Sequence, residues 1–235
     1  MTAENATSLL PGEPPITIHW RRSARARRLS LKVSGIDGRV TLTLPQRLAA
    51  RHGQAFLEER AAWLRRSLAT IPAPLQVDFG GELPIEGRLR RIIPAEGRQI
   101  TLAEDRLLLP EGKAPARRLE TWLKLRARAR ILEGAQRLSP RLGAAPGRIT
   151  LRDPRSRWGS CTSAGDLMLS WRLILAPPAV LDYVLAHEMA HLKQMNHSPA
   201  FWAEVARIMP DYAAPRDWLR REGSALHRYR FAAPA

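Results

Sequence analysis

From Ile16 onward, apolar positions alternate with polar ones: Ile16, Ile18 and Trp20, then Leu29, Leu31 and Val33, then Val40, Leu42 and Leu44. A period of two marks strands with one buried face. Asp37-Gly38, between the second and third runs, is a hairpin-turn pair. The spacing then changes. Phe56, Leu57, Trp63, Leu64 and Leu68 fall near helical intervals, which predicts one helix ended by Ile71-Pro72-Ala73-Pro74. Short strand-like runs follow at 83–86, 89–93, 98–103 and 106–109, punctuated by glycine and proline. A long helix is predicted from about Pro115 to Leu138, with Leu119, Trp122, Leu123, Leu125 and Ile131 among its apolar positions. Beyond it the pattern predicts strands at 148–152 and 166–171 and helices near 178–194, 199–209 and 214–226. The proline-rich start, residues 1–15, reads as a flexible arm. This order makes an α+β protein: the arm, a β-rich region with one helix over 16–112, and a second α+β part over 113–235. No internal repeat stands out.

Charge changes the picture more than composition does. The 235 residues are 45% hydrophobic and 26% charged, which is ordinary for a chain with a proper core. The formal charge of +16 is not ordinary, and nearly all of the excess is arginine. Arginine grips phosphates and carboxylates bidentately, so nucleic acid or a nucleotide is a candidate partner; arginine-for-lysine replacement on a solvated surface is the other reading. The long helix has the same two readings, because its polar face holds Arg117, Arg118, Lys124, Arg126, Arg128 and Arg130. Cys161 is the one cysteine, so no internal disulfide forms, as expected in a reducing cytosol. The start shows no signal-peptide pattern, and no apolar run approaches the roughly 18 residues of a membrane span. A cytoplasmic protein without a membrane segment is expected.

The chemistry concentrates in His187-Glu188-Met189-Ala190-His191, inside the apolar-periodic segment that Pro177 and Pro178 introduce. Residues four apart in a helix share a face, so His187 and His191 aim two imidazoles at one point, and Glu188 lies beside it. A catalytic zinc takes three protein ligands and keeps one open position. His197 is the third candidate: Asn196 suits a left-handed cap, and Ser198-Pro199 reads as the start of the next helix, which swings His197 back. One zinc per chain, with Glu188 as general base, follows. A carboxylate should orient one histidine from behind, with Glu204 the first candidate and Asp182 and Asp211 after it. Upstream, Ser156-Arg157-Trp158-Gly159-Ser160-Cys161 leads into the strand at 166–171. Arg157 is the candidate for a substrate carboxylate or phosphate. Trp158 is either a substrate contact or core packing. The strand at 166–171 is a candidate cleft edge for an extended peptide. Cys161 reads as a small buried thiol, and His19, His52 and His227 as structural.

The run "SRWGSC", the following strand and "HEMAHLKQMNHSPAFW" resemble the YgjP-type metallopeptidase family, relatives of the SprT-like and WLM zinc proteases. With "RRSARARRLSLKV" near the start, the resemblance covers nearly the whole chain. It implies a minimal zincin-like (gluzincin-type) fold over 113–235, His187, His191 and His197 as zinc ligands, Glu188 as general base, and a peptide or protein substrate. Two alternatives stay open: a metal-dependent nucleoside triphosphate pyrophosphatase, and a nucleic-acid-binding module with a structural zinc. A closed, arginine-lined pocket would favour the pyrophosphatase; an open groove beside an edge strand would favour the peptidase.

Overall fold

Alternation becomes pairing in the first of two compact units, Met1–Ala73 and Pro74–Ala235. The computed structural model describes residues 6–231. In the first unit β1 (Thr7–Leu10), β2 (Ile16–Ser23), β3 (Ser30–Val33) and β4 (Val40–Pro45) form one sheet in the order β1-β2-β4-β3. The central β2–β4 pair is parallel and the outer pairs are antiparallel. Ile18, Val40, Leu42 and Leu44 turn inward and are buried with Leu57 of α1 (Ala50–Glu59) and Leu64 of α2 (Ala61–Ala69). Each such side chain withdrawn from water contributes roughly 1.5–3 kcal/mol. Two sequence expectations change here. Part of the expected arm is an edge strand, because Thr7–Leu10 pairs with Ile16–His19 and buries Leu10. The single expected helix is two, because Arg60 (φ −95°, ψ 4°) leaves helical geometry between them.

The second unit opens with β5 (Leu75–Gln76), β6 (Glu82–Ile85), β7 (Arg88–Ala95), β8 (Thr101–Leu102) and β9 (Arg106–Pro110). The last four form a sheet in the order β6-β7-β9-β8, again antiparallel, parallel, antiparallel. The backbone plan of the first unit thus recurs without visible sequence similarity. Against this sheet lies α3 (Pro115–Leu142), whose Leu119, Leu123, Ala127 and Ile131 make a buried stripe. Gly143 (φ 68°) ends it in the left-handed conformation that glycine adopts without cost. Leu83, Ile85, Ile92, Leu107 and Leu109 share one apolar cluster with α3 and the helices that follow. For that reason the chain divides after Ala73, and the strand-to-helix change at 112 falls inside the second unit.

The remainder is β10 (Ile149–Arg152), β11 (Gly159–Cys161), β12 (Leu167–Ser170), a 3₁₀ turn at 171–175, α4 (Pro178–Ala190), α5 (Pro199–Ile208), α6 (Ala213–Glu222), a 3₁₀ segment at 223–228, and β13 (Tyr229–Arg230), which pairs with β5. The three-stranded sheet runs β10-β12-β11. β12, the expected cleft edge, is therefore paired on both sides, and β11 is the edge. Among the described residues no helix is long and apolar enough to cross a membrane.

One buried cluster ties the end of the chain to the loop before β11. Arg172 forks onto Asp153 at 2.7 and 3.0 Å and donates to the carbonyls of Leu226 and Tyr229. Beside it His227 is buried, its ring centroid 5.0 Å from that of Trp158. Burial, reinforced by the Arg172 charge, pushes the His227 imidazole down to about 4 from 6.5. Between those values the unfolded chain binds a proton that the folded chain does not, so stability is full above pH 6.5 and falls as the pH drops towards 4. The loss is on the order of 3 kcal/mol. His227→Leu is expected to flatten this limb of a denaturation midpoint plotted against pH; an unchanged limb would assign the acid sensitivity to other groups.

Candidate metal centre

Pro178 in the first turn starts α4, and apolar residues on nearly every side bury it. The helix therefore offers its last turn as a fixed platform. His187 and His191 stand one turn apart there, and the turn after His191 brings His197 over them. The ligating atoms of the three rings all lie within 4.8 Å of one another. The Nε2 atoms of His187 and His197 are 3.0 Å apart. Two nitrogens bound at about 2.1 Å to one tetrahedral ion stand about 3.4 Å apart, so the triad is near the separation a shared ion needs. The Nδ1 atom of His191 meets the carbonyl oxygen of Gln194 at 2.9 Å, which leaves its Nε2 for the common point. Burial first, and then the neighbouring His191 and His197, lower the His187 pKa to about 4. Its ring is thus held neutral, the form that binds a metal. The donor set fits a metal ion.

The reversal at 191–198 works differently from its expected form. Asn196 is not left-handed; its side-chain oxygen accepts the Ser198 N–H at 3.1 Å, and α5 then begins at Pro199. Phe201, fully buried in the first turn of α5, has its ring centroid 4.9, 4.5 and 4.8 Å from those of His187, His191 and His197. Trp202 flanks the rings of His187 and His197 and stacks on Tyr212, with Arg216 over its face. The aromatic packing was not anticipated, although "PAFW" directly after His197 carries it.

Glu188 is buried beside the triad, and that burial raises its carboxyl to about 7, against the opposing pull of Arg157. Gly159 of β11 abuts it: a Cβ there would lie 2.6 Å from the Glu188 Oε1. Glycine is required at this position by close approach. A cleft of about 500 Å³ opens over these groups, lined by Arg157, Gly159, Ser160, Cys161 and Met195 together with Glu188 and the three histidines. Cys161 is half-buried at the cleft wall and not in the core; burial and the nearby Glu188 raise its thiol pKa, so it is a poor nucleophile at neutral pH.

Two further expectations are corrected. Trp158 does not line the cleft. Its neighbour Arg157 does, and because successive side chains of an extended segment point to opposite sides, Trp158 packs into the core against His227. Glu204 does not orient a histidine; its carboxylate accepts from Arg207 at 3.2 Å. Asp182 is taken by Arg137 at 2.9 Å, and Asp211 is exposed. A backbone carbonyl, that of Gln194, does the orienting instead. Among the described residues His227 joins no group that could hold a metal.

No curated protein and no solved structure matches this chain. The model of the YgjP-like metallopeptidase domain matches residues 27–222, a span that takes in the three histidines, Glu188 and the β11 edge. The histidine cluster is thus found inside a domain of metal-dependent peptidases, and the chain belongs to the YgjP-like family.

Proposed function

We propose that this protein is a zinc-dependent peptidase with a zincin-like fold over its C-terminal half, one ion held by His187, His191 and His197, and Glu188 as general base. The observation that carries the reading is the placement of a buried carboxylate, raised towards neutrality, between three clustered imidazoles and an edge strand in one cleft. Three nitrogen donors with an open fourth position suit zinc. The third donor is a histidine and not the glutamate of a His₂Glu site, so the gluzincin subtype is not retained. Zinc, when bound, supplies Lewis-acid polarisation and lowers the pKa of water to about 7.

The chain's own residues do the rest. Glu188, with a pKa near the working pH, accepts the proton of the attacking water and returns it to the leaving amine. Flanking β11, the Trp158 carbonyl accepts the Ser170 N–H and the Thr162 N–H donates to the Asp166 carbonyl, which fixes the phase of the β11–β12 ladder. Alternation therefore turns the N–H and C=O groups of Gly159 and Cys161 outward, where an extended peptide adds as a further strand. Arg157 supplies a donor fork for a substrate carboxylate. It is the one Lys or Arg among the cleft residues, sparse provision for a triphosphate, and the groove beside an edge strand favours the peptide.

The test is to incubate zinc-loaded and chelated protein with denatured protein and nucleoside triphosphates together, reading products by mass spectrometry. New peptides in the loaded sample alone are expected. Nucleoside monophosphates and pyrophosphate without peptides would replace this reading with the pyrophosphatase.

A further inference from the structure

The positive charge is distributed unevenly between paired and unpaired cations. On α3, Lys124 pairs with Glu120, Arg126 with Glu86, Arg130 with Glu86 and Glu133, and Arg137 with Asp182. Much of that helix's charge is thereby neutralised. The first unit differs. Residues 6–73 carry 12 lysines and arginines against four acids, Glu13, Asp37, Glu58 and Glu59.

Within this unit α1 and α2 pack on one face of the sheet. Pleat alternation defines the other face: Ile18, Leu42 and Leu44 point in, so their neighbours point out. Strand register lines these neighbours up in rows. Thr7, His19, Thr41 and Lys32 stand side by side across all four strands. Arg21, Thr43 and Ser30 form the next row, with Arg21 donating to the Thr43 hydroxyl at 3.2 Å. The β2–β3 connection at the same end adds Arg25, Arg27 and Arg28, all exposed. Among the described residues none of Arg21, Arg25, Arg27, Arg28 and Lys32 has a carboxylate partner. Glu13 and Asp37 sit in the connections at the opposite end of the sheet, and Glu58 and Glu59 on α1.

We infer that this open sheet face and its arginine rim bind the phosphate backbone of a nucleic-acid duplex. Thr43 is buried beneath Arg21, while Thr7 and Ser30 offer exposed hydroxyls and Arg21 and Lys32 cationic donors, which suit phosphate oxygens. Among the described residues the face presents no Phe, Tyr or Trp on which unpaired bases could stack, since Trp20 turns inward and donates to Ser8 at 2.7 Å. Among the described residues Leu9 is its one large exposed apolar side chain, too little to insert into a lipid surface. Without base-reading groups in a groove, binding is independent of sequence and depends steeply on salt.

The test uses the full chain and fluorescence anisotropy of a labelled duplex of about 20 base pairs over a salt series. Five phosphate contacts give a slope of log K against log salt of about −4 to −5. Reversing Arg25, Arg27 and Arg28 to Glu should reduce the slope by about 3 and weaken binding at least tenfold at low salt. Arg25→Gln, Arg27→Gln and Arg28→Gln combined should show the same direction without added repulsion. The control reverses Arg51 and Arg66, exposed residues on α1 and α2. Thermal melts confirm that every variant is folded. Absence of duplex binding at low salt, an equal loss per charge in the control, or tighter association with phosphatidylserine vesicles than with the duplex would each overturn the assignment.

Discussion

Glu188→Gln is expected to lower peptide hydrolysis by about 10²–10⁴-fold while leaving zinc content at one ion per chain. The substitution keeps size and shape and removes only the ability to accept and return a proton. The site is sensitive to that change because the carboxyl is buried and tuned close to neutrality. The histidines should still hold the ion, since Glu188 lies outside the group of mutually close ligand atoms. Zinc by mass spectrometry and kcat/KM on a quenched fluorescent peptide measure the two separately. Activity within tenfold of the parent would remove Glu188 from the proton path. Gly159→Ala reaches the same carboxylate from the other side: the new methyl would stand 2.6 Å from the Glu188 Cγ and Oε1, inside van der Waals contact, and push the side chain away. A displacement of this kind costs about 10²-fold in rate, again without loss of metal. Parallel behaviour of the two variants would separate carboxylate position from metal binding.

What was legible in the sequence was local. His187 and His191 are joined by helical periodicity, and His197 by a short turn, so a cluster of three histidines could be read from one segment. The long helix α3 and the central strands likewise carry their period in the order of residues. Elements made by distant pairing were not legible. β5 and β13 are two residues each and exist because they meet across more than 150 positions. β1 was hidden in a proline-rich start and is defined by its pairing with β2. β11 carries no alternation at all, yet it is the strand that meets Glu188. Trp158 failed for a related reason, since the direction of a side chain in a loop depends on what the loop packs against. Glu204 is close to the histidines in sequence, but Arg207, one turn on, takes its carboxylate. Recurrence of the four-strand plan in both units lies in backbone topology, where residue identity leaves no trace of it.

Zinc is expected to raise the melting temperature of the parent chain by about 10 °C when supplied at about a thousand times its dissociation constant, and to leave His197→Ala unchanged. A ligand that binds only the folded state at that excess stabilises it by about 4 kcal/mol. For a unit of this size each kcal/mol moves the midpoint by about 2–4 °C. The site couples to folding because its ligands come from the end of α4 and from the turn that enters α5, so an ion clamps two helices whose buried contact includes Phe201. His197 is the appropriate ligand to remove. It is exposed, whereas His187 and His191 are enclosed by aromatic rings, and truncating either of those would mix lost packing with lost metal. The metal-free melting points of parent and variant should therefore coincide to within a degree or two, which makes the zinc-dependent difference a direct reading of the third ligand. An equal zinc shift in His197→Ala would place the ion elsewhere. A large difference between the metal-free proteins would assign His197 to the packing of the 191–198 turn.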